Sequence, residues 1–83
     1  MFHVYILESL KDKSQYVGFT QNLDLRLNYH NNKKVKSTKS KTPWKIIYTE
    51  KFDTRIEARS KEKYLKSATG RKFRKNLFRN SGD

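Results

Sequence analysis

The feature that most constrains the fold is the apolar and aromatic segment at the start of the chain, Phe2 to Leu7. It contains β-branched Val4 and Ile6, and a short continuous run of this composition favours a buried β-strand. Because successive side chains of a strand point to opposite faces, Val4 and Ile6 should face one side of the sheet and Tyr5 and Leu7 the other. The domain is therefore expected to begin with a buried strand.

Two further strands are predicted. The second spans Gln15 to Phe19 and follows a polar turn at residues 11–14, which makes a β-hairpin with the first. Gly18 near its end predicts either a β-bulge or a close approach of the backbone to another group. The third strand is expected from Trp44 to Glu50, since residues 44–48 are apolar with one interruption.

Two helices are predicted around the third strand. The first follows an N-cap residue among residues 20–22 and ends near residue 31 or 32. The second follows the capping box of Thr54 and Glu57 and runs to about Ser67.

A last, strongly basic helix is predicted from Arg71 to Arg79, after Gly70, which is expected to end or punctuate the second helix. Phe73, Leu77 and Phe78 would supply its buried side. The predicted fold is an α/β (α+β) domain, in which a small three-stranded antiparallel sheet begins with a β-hairpin and is flanked by three helices.

Length and charge limit the class of protein further. The 83 residues are enough for one domain, with a core of about residues 2–78 and a frayed tail at residues 79–83. A net charge of +12 makes nucleic acid the leading partner. The absence of cysteine excludes disulfides, thiolate zinc sites and cysteine nucleophiles. No apolar run approaches a membrane span or a signal peptide, which predicts a cytoplasmic protein without a membrane partner.

Basic residues are concentrated in two segments. Five of the nine residues from Lys33 to Lys41 are lysine, and this segment is predicted to be a loop and not a regular element. Without a base-reading motif, binding should be largely sequence-independent and strongly salt-dependent. The alternative is that both segments are simply solvated. The predicted nucleic-acid-binding residues are Lys33, Lys34, Lys36, Lys39, Lys41, Arg71, Lys72, Arg74 and Lys75.

The acidic residues limit the kinds of metal site that the chain can form. Eight carboxylates are scattered along the chain without a D-x-D type of cluster, so a two-metal nuclease site is not expected. Only two histidines are present, which argues against a histidine-rich metal site. Any metal chemistry should use one hard cation, held by one carboxylate, water and substrate phosphate.

Ionisable residues lie among apolar ones on two helices. In the first helix, Arg26 and His30 share one face with two leucines, at i, i+3, i+4 and i+7 spacing. In the second helix, Glu62 lies between apolar neighbours on the predicted inner face. An ion pair between Glu62 and Lys66 on an exposed face is the alternative, and His30 could equally be an ordinary core histidine.

The ordered motifs resemble those of the GIY-YIG nuclease superfamily over about residues 2–78. The hairpin carries His3-Val4-Tyr5 on its first strand and Tyr16-Val17-Gly18 on its second, with the tyrosines eleven positions apart. The chain is similar to the small stand-alone members, which are related to the N-terminal nuclease domain of the excinuclease of excision repair. His3 replaces the first glycine of the motif, and valine replaces isoleucine at both positions. Phe19 lies where some relatives carry a catalytic lysine or histidine.

The resemblance implies a metal-dependent endonuclease that hydrolyses phosphodiester bonds in DNA, with a role in DNA repair. Glu62 would hold one Mg²⁺ or Mn²⁺ ion, and Arg26 would grip the scissile phosphate. One tyrosine, with a depressed pKa, would accept the proton of the attacking water. His30, with a pKa near 6.5, would relay that proton, and the products would be a 5′-phosphate and a 3′-hydroxyl. The implied catalytic residues are Tyr5, Tyr16, Arg26, His30, Glu62 and, to orient a nearby group, Asn76.

Two other functions fit the same residues. One is a non-catalytic or weakly active basic nucleic-acid-binding module with this fold, in which the tyrosines are ordinary sheet aromatics. The other is a small basic protein associated with RNA or the ribosome, which rests on charge alone. A protein partner that supplies specificity, the oligomeric state and the natural substrate are left open.

Overall fold

The computed structural model describes the backbone of residues 1–81 and the side chains of residues 1–77. It confirms the predicted fold class, a three-stranded antiparallel sheet with three α-helices. None of the described helices is long and apolar enough to cross a lipid bilayer. The elements are β1 (Phe2–Ser9), β2 (Gln15–Thr20), α1 (Leu23–Asn31), β3 (Trp44–Phe52), α2 (Arg55–Lys66) and α3 (Ala68–Ser81).

β1 is the central strand of the sheet, whose order is β2-β1-β3. Its two faces are buried in two separate cores, as its alternation predicts. Val4 and Ile6 are fully buried against α2, in a cluster that includes Ala58 and Leu65. On the opposite face, Tyr5 and Leu7 pack with Trp44 and with partly buried leucines of α1. The sheet is therefore covered by α1 on one side and by α2 and α3 on the other.

The irregularity in the sheet lies on β3 and not at Gly18. In the pairing of β1 with β3, Ile6 is opposite Tyr48 and Leu7 is opposite Ile46, so Ile47 is an extra residue. Gly18 is in regular register opposite Tyr5. Of the two alternatives predicted for Gly18, the bulge is wrong and the close approach is correct.

Gly70 does not end α2, which corrects the prediction made from the sequence. α2 ends at Lys66, and Ser67 separates it from α3. The Ser67 hydroxyl accepts a hydrogen bond from the Gly70 amide at 3.2 Å, as an N-cap does. A Cβ at Gly70 would lie 2.6 Å from Cα of Leu65 and still closer to the Tyr64 carbonyl oxygen. The glycine thus lets the start of α3 fold back against the end of α2, and α3 begins at Ala68 instead of Arg71.

The lysine-rich segment is not entirely a loop, because Lys39–Lys41 forms one turn of 3-10 helix. The Lys41 amide donates to the carbonyl of Thr38 at 3.2 Å, and Thr38 is only 1% exposed. The Ser9 hydroxyl donates to the Lys41 carbonyl at 2.6 Å. These contacts tie the segment to the end of β1, a long-range effect that local composition does not predict.

The helix starts agree with the predicted caps. Asn22 is the N-cap of α1, and its side chain accepts from the Leu25 amide. Thr54 accepts from the Glu57 amide at 3.2 Å, while its hydroxyl donates to the Glu57 carboxylate at 2.8 Å. The predicted burial of Phe78 lies outside the described side chains. α3 extends through Ser81, and residues 82–83 of the predicted tail lie outside the described residues.

Candidate active site

Two tyrosines and one histidine form a compact cluster on the α1 side of the sheet. Tyr5 of β1 and Tyr16 of β2 have ring centroids 6.4 Å apart. The His30 ring of α1 lies 5.9 Å from the Tyr5 ring, edge to face, and 4.9 Å from the Tyr16 ring. Tyr5 and His30 are buried, at 2% and 0% exposure, whereas Tyr16 is half-buried. The cluster therefore has a closed inner part and a more open outer part.

A chain of hydrogen bonds fixes the orientation of His30. Its Nε2 lies 3.1 Å from the Tyr5 hydroxyl, and its Nδ1 lies 2.8 Å from the Thr38 hydroxyl oxygen. The Thr38 hydroxyl donates to the Val35 carbonyl at 3.4 Å, so its oxygen is free to accept from His30. These partners assign the proton to Nδ1 and leave Nε2 as the acceptor of the Tyr5 hydroxyl proton.

Contacts between α1 and β3 place His30 over the sheet. The Asn31 side chain accepts from the Trp44 amide at 2.6 Å and donates to the Trp44 carbonyl at 3.2 Å. The Trp44 indole donates to the Thr38 carbonyl at 3.0 Å. The end of α1, the lysine-rich segment and the start of β3 are thus joined around His30.

Burial lowers the pKa of His30 from 6.5 to about 4, and the positive charge of Arg26 acts in the same direction. His30 is therefore neutral at pH 7. The prediction that it titrates near 6.5 is wrong, because the sequence shows its helical face but not how completely the sheet and Thr38 enclose it.

Burial also raises the pKa of Tyr5, which contradicts a depressed pKa for this phenol among the protein groups. A hydrogen bond and the charge of Arg26 lower this pKa, but they are outweighed by desolvation, with Tyr16 and Glu62 adding to the rise. Reciprocally, hydrogen bonding to Tyr5 is the largest cause that raises the pKa of Arg26. Half-buried Arg26 is thus a permanent positive charge against the two phenols.

Gly18 makes room for the Tyr5 ring. A Cβ at this position would lie 2.7 Å from the Tyr5 hydroxyl oxygen and 3.2 Å from Cε1 of Tyr16. No side chain could be accommodated there without moving Tyr5. The glycine of the second motif is therefore explained by the packing of the phenol directly across the strand.

Glu62 is the carboxylate that affects this cluster electrostatically. Its side chain is 19% exposed and pairs with Lys66 at 3.3 Å, so the alternative ion pair is observed on a partly buried carboxylate. It is close enough to Tyr5 to raise the pKa of that phenol. Among the described residues no group of three or more His, Cys, Asp or Glu side chains converges. A single accessible carboxylate fits a hard cation that keeps most of its water and binds substrate phosphate, as Mg²⁺ does.

Asn76 is not brought into the cluster by any observed contact. It lies exposed on α3, and no hydrogen bond joins its side chain to a residue between 1 and 77. The structure places Tyr5, Tyr16, Arg26 and His30 together, and the charge of Glu62 acts on Tyr5.

The predicted nucleic-acid-binding residues are mostly exposed, with two exceptions. Lys41 is held by the hairpin turn, with its Nζ 3.0 Å from the Ser14 hydroxyl and 3.6 Å from the Asp12 carboxylate. Arg74 is half-buried. The exposed members are Lys33, Lys34, Lys36, Lys39, Arg71, Lys72 and Lys75.

Sequence reasoning missed Thr38 and Trp44 as parts of the site. Both are buried, and together they hold the Nδ1 side of His30. Thr38 stands among lysines in a segment with no periodicity, so no local signal marks it.

Residues 1–76 match the GIY-YIG catalytic domain family. Because the match covers almost all of the chain and the fold and tyrosine motifs agree with it, the protein belongs to the GIY-YIG family, a nuclease family whose members generally use divalent metal ions.

Relatives with the same domain are known by the name UPF0213. The UPF0213 protein of Clostridium perfringens is 44% identical over 70 residues, which cover 83% of this chain and 74% of the relative. The UPF0213 protein YazA of Bacillus subtilis is 38% identical over 71 residues, covering 84% and 72%. The solution NMR structure of a UPF0213 protein from Bacillus halodurans is similar with a TM-score of 0.55 and 33% identity, over 93% of this chain and 85% of that one.

Proposed function

We propose that the protein is a metal-dependent endonuclease that hydrolyses phosphodiester bonds in DNA without strong sequence preference. The observation that carries the proposal is the meeting of two phenols, a neutral imidazole and a guanidinium on one face of the sheet, where the charge of Glu62 on α2 still acts on Tyr5. These groups match the needs of phosphodiester hydrolysis, which are a proton acceptor for water and positive charge at the phosphate.

Arg26 is the group that holds the scissile phosphate. Its charge is fixed, and its planar donors suit two phosphate oxygens at once. It is half-buried beside the phenols, where a lower effective dielectric strengthens its interaction with the charge that grows on the non-bridging oxygens. The two phenols beside it raise its pKa, so the guanidinium is charged before substrate arrives.

Tyr16 is the phenol that faces the attacking water, and Tyr5 is the phenol that positions it. Tyr5 is 2% exposed, and its hydroxyl already donates to Nε2 of His30. Tyr16 is more exposed, and its ring packs against His30 at a centroid distance of 4.9 Å and an interplanar angle of 59°. Because the pKa of Tyr5 is raised and that of His30 is lowered, the inner pair stays neutral at pH 7.

Glu62 would hold one Mg²⁺ or Mn²⁺ ion, which when bound supplies positive charge to the phosphate and to the leaving oxygen. Glu62 must exchange its contact with Lys66 at 3.3 Å for this role. Lys66 is 55% exposed, so the exchange costs little. The products would be a 5′-phosphate and a 3′-hydroxyl.

A binding module without turnover is the second candidate, and two observations favour it. The pKa of Tyr5 is raised and that of His30 is lowered to about 4, so neither buried group is a strong base at neutral pH. The exposed lysines of the lysine-rich segment would bind nucleic acid with or without catalysis.

Cleavage by matched variants separates the two candidates. Purified protein is incubated with single-stranded, duplex and branched DNA in Mg²⁺ or Mn²⁺, beside Glu62→Gln and the control Glu57→Gln. Both variants lose one negative charge on α2, but Glu57 is exposed and contacts Thr54. The nuclease is supported if cleavage falls at least a hundredfold in Glu62→Gln alone while binding persists. Equal residual activity in all three proteins would support the binding module, and tighter binding of RNA in competition would argue against DNA as the substrate.

A further inference from the structure

The two basic segments of the chain meet at the β1–β2 turn. On one side of this turn, Asp12 and Ser14 contact the side chain of Lys41, and Nζ of Lys11 donates to the Ser40 carbonyl at 3.4 Å. On its other side, Lys13 lines a pocket shared with α3. The hairpin end of the sheet thus joins two stretches of basic residues that are about thirty positions apart in the chain.

The pocket on the α3 side has a volume of about 370 Å³. Four of its five lining residues are cationic and none is acidic; they are Lys13, Gln15, Arg71, Arg74 and Lys75. Gln15 donates from its side-chain amide to the Arg74 carbonyl at 3.3 Å, which fixes the pocket wall to β2. The aliphatic stems of the basic residues line much of the rest.

Arg74 has a buried donor without a partner in this pocket. Its Nε is inaccessible to solvent and makes no hydrogen bond among the described residues. Burial, followed by the positive charge of Arg71, lowers the pKa of Arg74. The clustered positive charges around the pocket repel one another, and an anion among them relieves that repulsion. Phosphate suits the planar fork of arginine, and Nε, which is closed to solvent here, donates to it once the Arg74 side chain turns towards the pocket.

We propose that this pocket binds a backbone phosphate of the nucleic acid strand, at a subsite separate from the tyrosine cluster. Gln15 precedes Tyr16 on β2, so their side chains lie on opposite faces of the sheet. A strand held in the pocket would pass around the hairpin end, beside the lysine-rich segment, to reach the cluster. The phosphate chemistry stands on the pocket itself, and its assignment to a DNA strand rests on the proposed function.

Three variants distinguish a built phosphate site from general surface charge. Arg74→Gln removes the charge and the buried donor, Arg74→Lys keeps the charge but removes the Nε donor, and Lys72→Gln removes an exposed charge of α3 that does not line the pocket. Binding of a fluorescein-labelled single-stranded oligonucleotide is measured by anisotropy in EDTA from 50 to 300 mM salt, with folding checked by circular dichroism.

Both Arg74 variants should lose about fivefold in affinity near 0.1 M salt, and Arg74→Gln should reduce the salt slope by about 0.7, as expected for one lost contact with a single-strand phosphate. Lys72→Gln should lose less. Wild-type affinity in Arg74→Lys, or equal losses in Arg74→Gln and Lys72→Gln, would overturn the proposal.

Nuclear magnetic resonance provides a second readout that does not depend on cleavage or on the variants. The Arg74 Nε–H and Gln15 side-chain amide signals should shift on titration with a 5′-phosphorylated dinucleotide, and less with inorganic phosphate. Equal shifts with the dinucleotide and with inorganic phosphate would identify a site for free anions and overturn the assignment to a nucleic acid strand. If neither compound shifts the signals, the proposal that this pocket binds phosphate is overturned. If these signals respond while the protein cuts no DNA, the phosphate subsite stands and the nuclease proposal falls.

Discussion

The Tyr5 hydroxyl on β1 lies 3.1 Å from Nε2 of His30 on α1, and both side chains are almost completely withdrawn from solvent. One hydrogen bond thus joins the central strand to the helix that carries Arg26. It makes the inner half of the candidate active site part of the protein core, so changes there should be visible in stability as well as in activity.

Acidification should destabilise the fold through His30. Its pKa is about 4 in the folded state and near 6.5 in the unfolded chain, so the unfolded state binds more protons between these values. The contribution of neutral His30 to the free energy of unfolding is fully present above pH 6.5. It is lost as the pH falls towards 4, by an amount on the order of 3 kcal/mol. Urea denaturation from pH 4 to 8 measures it.

The control for this titration is His3→Gln, which changes the half-buried histidine of β1 and should keep the pH dependence that His30 causes. His30→Gln should flatten it. Direct observation by NMR of His30 gaining a proton near pH 6.5 in the folded protein would contradict the expectation.

Thr38→Val should misplace His30 without changing the volume of the side chain. The variant removes the acceptor 2.8 Å from Nδ1 and leaves a buried N–H without a partner, which costs about 1–3 kcal/mol. The ¹⁵N shifts of His30 should report a change of tautomer, and turnover should fall. Ser37→Ala, at the exposed neighbouring position, should leave both unchanged.

The two tyrosines should respond differently to loss of the hydroxyl. Tyr5→Phe leaves Nε2 of His30 unsatisfied in the interior, so the free energy of unfolding should fall by about 1–3 kcal/mol. Tyr16→Phe should change stability by less than about 0.5 kcal/mol but reduce kcat by about 10²–10⁴-fold, the range expected for loss of a general base. Full activity in Tyr16→Phe would exclude this assignment of roles.

Gly18→Ala should displace Tyr5, since the new Cβ would lie 2.7 Å from the phenol oxygen and 2.9 Å from the carbon that bears it. We expect a loss of about 1–3 kcal/mol, as for overpacking in a core. The same change in a Tyr5→Phe background should cost less, and the difference in a double-mutant cycle measures the clash. Additive costs would show that the glycine serves the backbone instead.

Gly70→Ala should be more damaging than an ordinary glycine substitution in a helix. The added Cβ meets backbone atoms of Tyr64 and Leu65, which cannot rotate away as a side chain can. A loss of more than about 3 kcal/mol is expected, against a change within about 0.5 kcal/mol for Thr69→Ala, the exposed control one position earlier. Thermal unfolding followed by circular dichroism compares them.

The fold was predictable because its signals are local. Alternation in Phe2 to Leu7, the Thr54 cap and the helical face of α1 each specify an element within a few residues, and each was located correctly. The family motifs also selected two phenols, a guanidinium and an imidazole that lie together in the structure. Gly70 was misjudged because a glycine after a helix usually ends it, whereas here it allows two backbones to approach.

The electrostatics of the site could not be predicted in the same way. The pKa values of Tyr5 and His30 depend on how deeply each is enclosed, and Thr38 contributes to that enclosure from eight residues beyond His30. The bulge at Ile47 and the pocket beside Gln15 likewise arise from pairings between distant segments. Such properties arise only in the folded domain, so short stretches of sequence do not predict them.

The position of β1 between two cores has a consequence for how this protein can change over time. The odd-numbered side chains of the strand include Tyr5 of the candidate site, and the even-numbered ones pack in the opposite core. Neighbouring positions of β1 are therefore under different selective constraints. A lineage that abandoned catalysis would still need the ring of Tyr5 and its hydrogen bond to His30 for the stability of the fold. Retention of that tyrosine is therefore poor evidence of activity. Loss of the more exposed Tyr16 would instead indicate a domain that no longer cleaves nucleic acid.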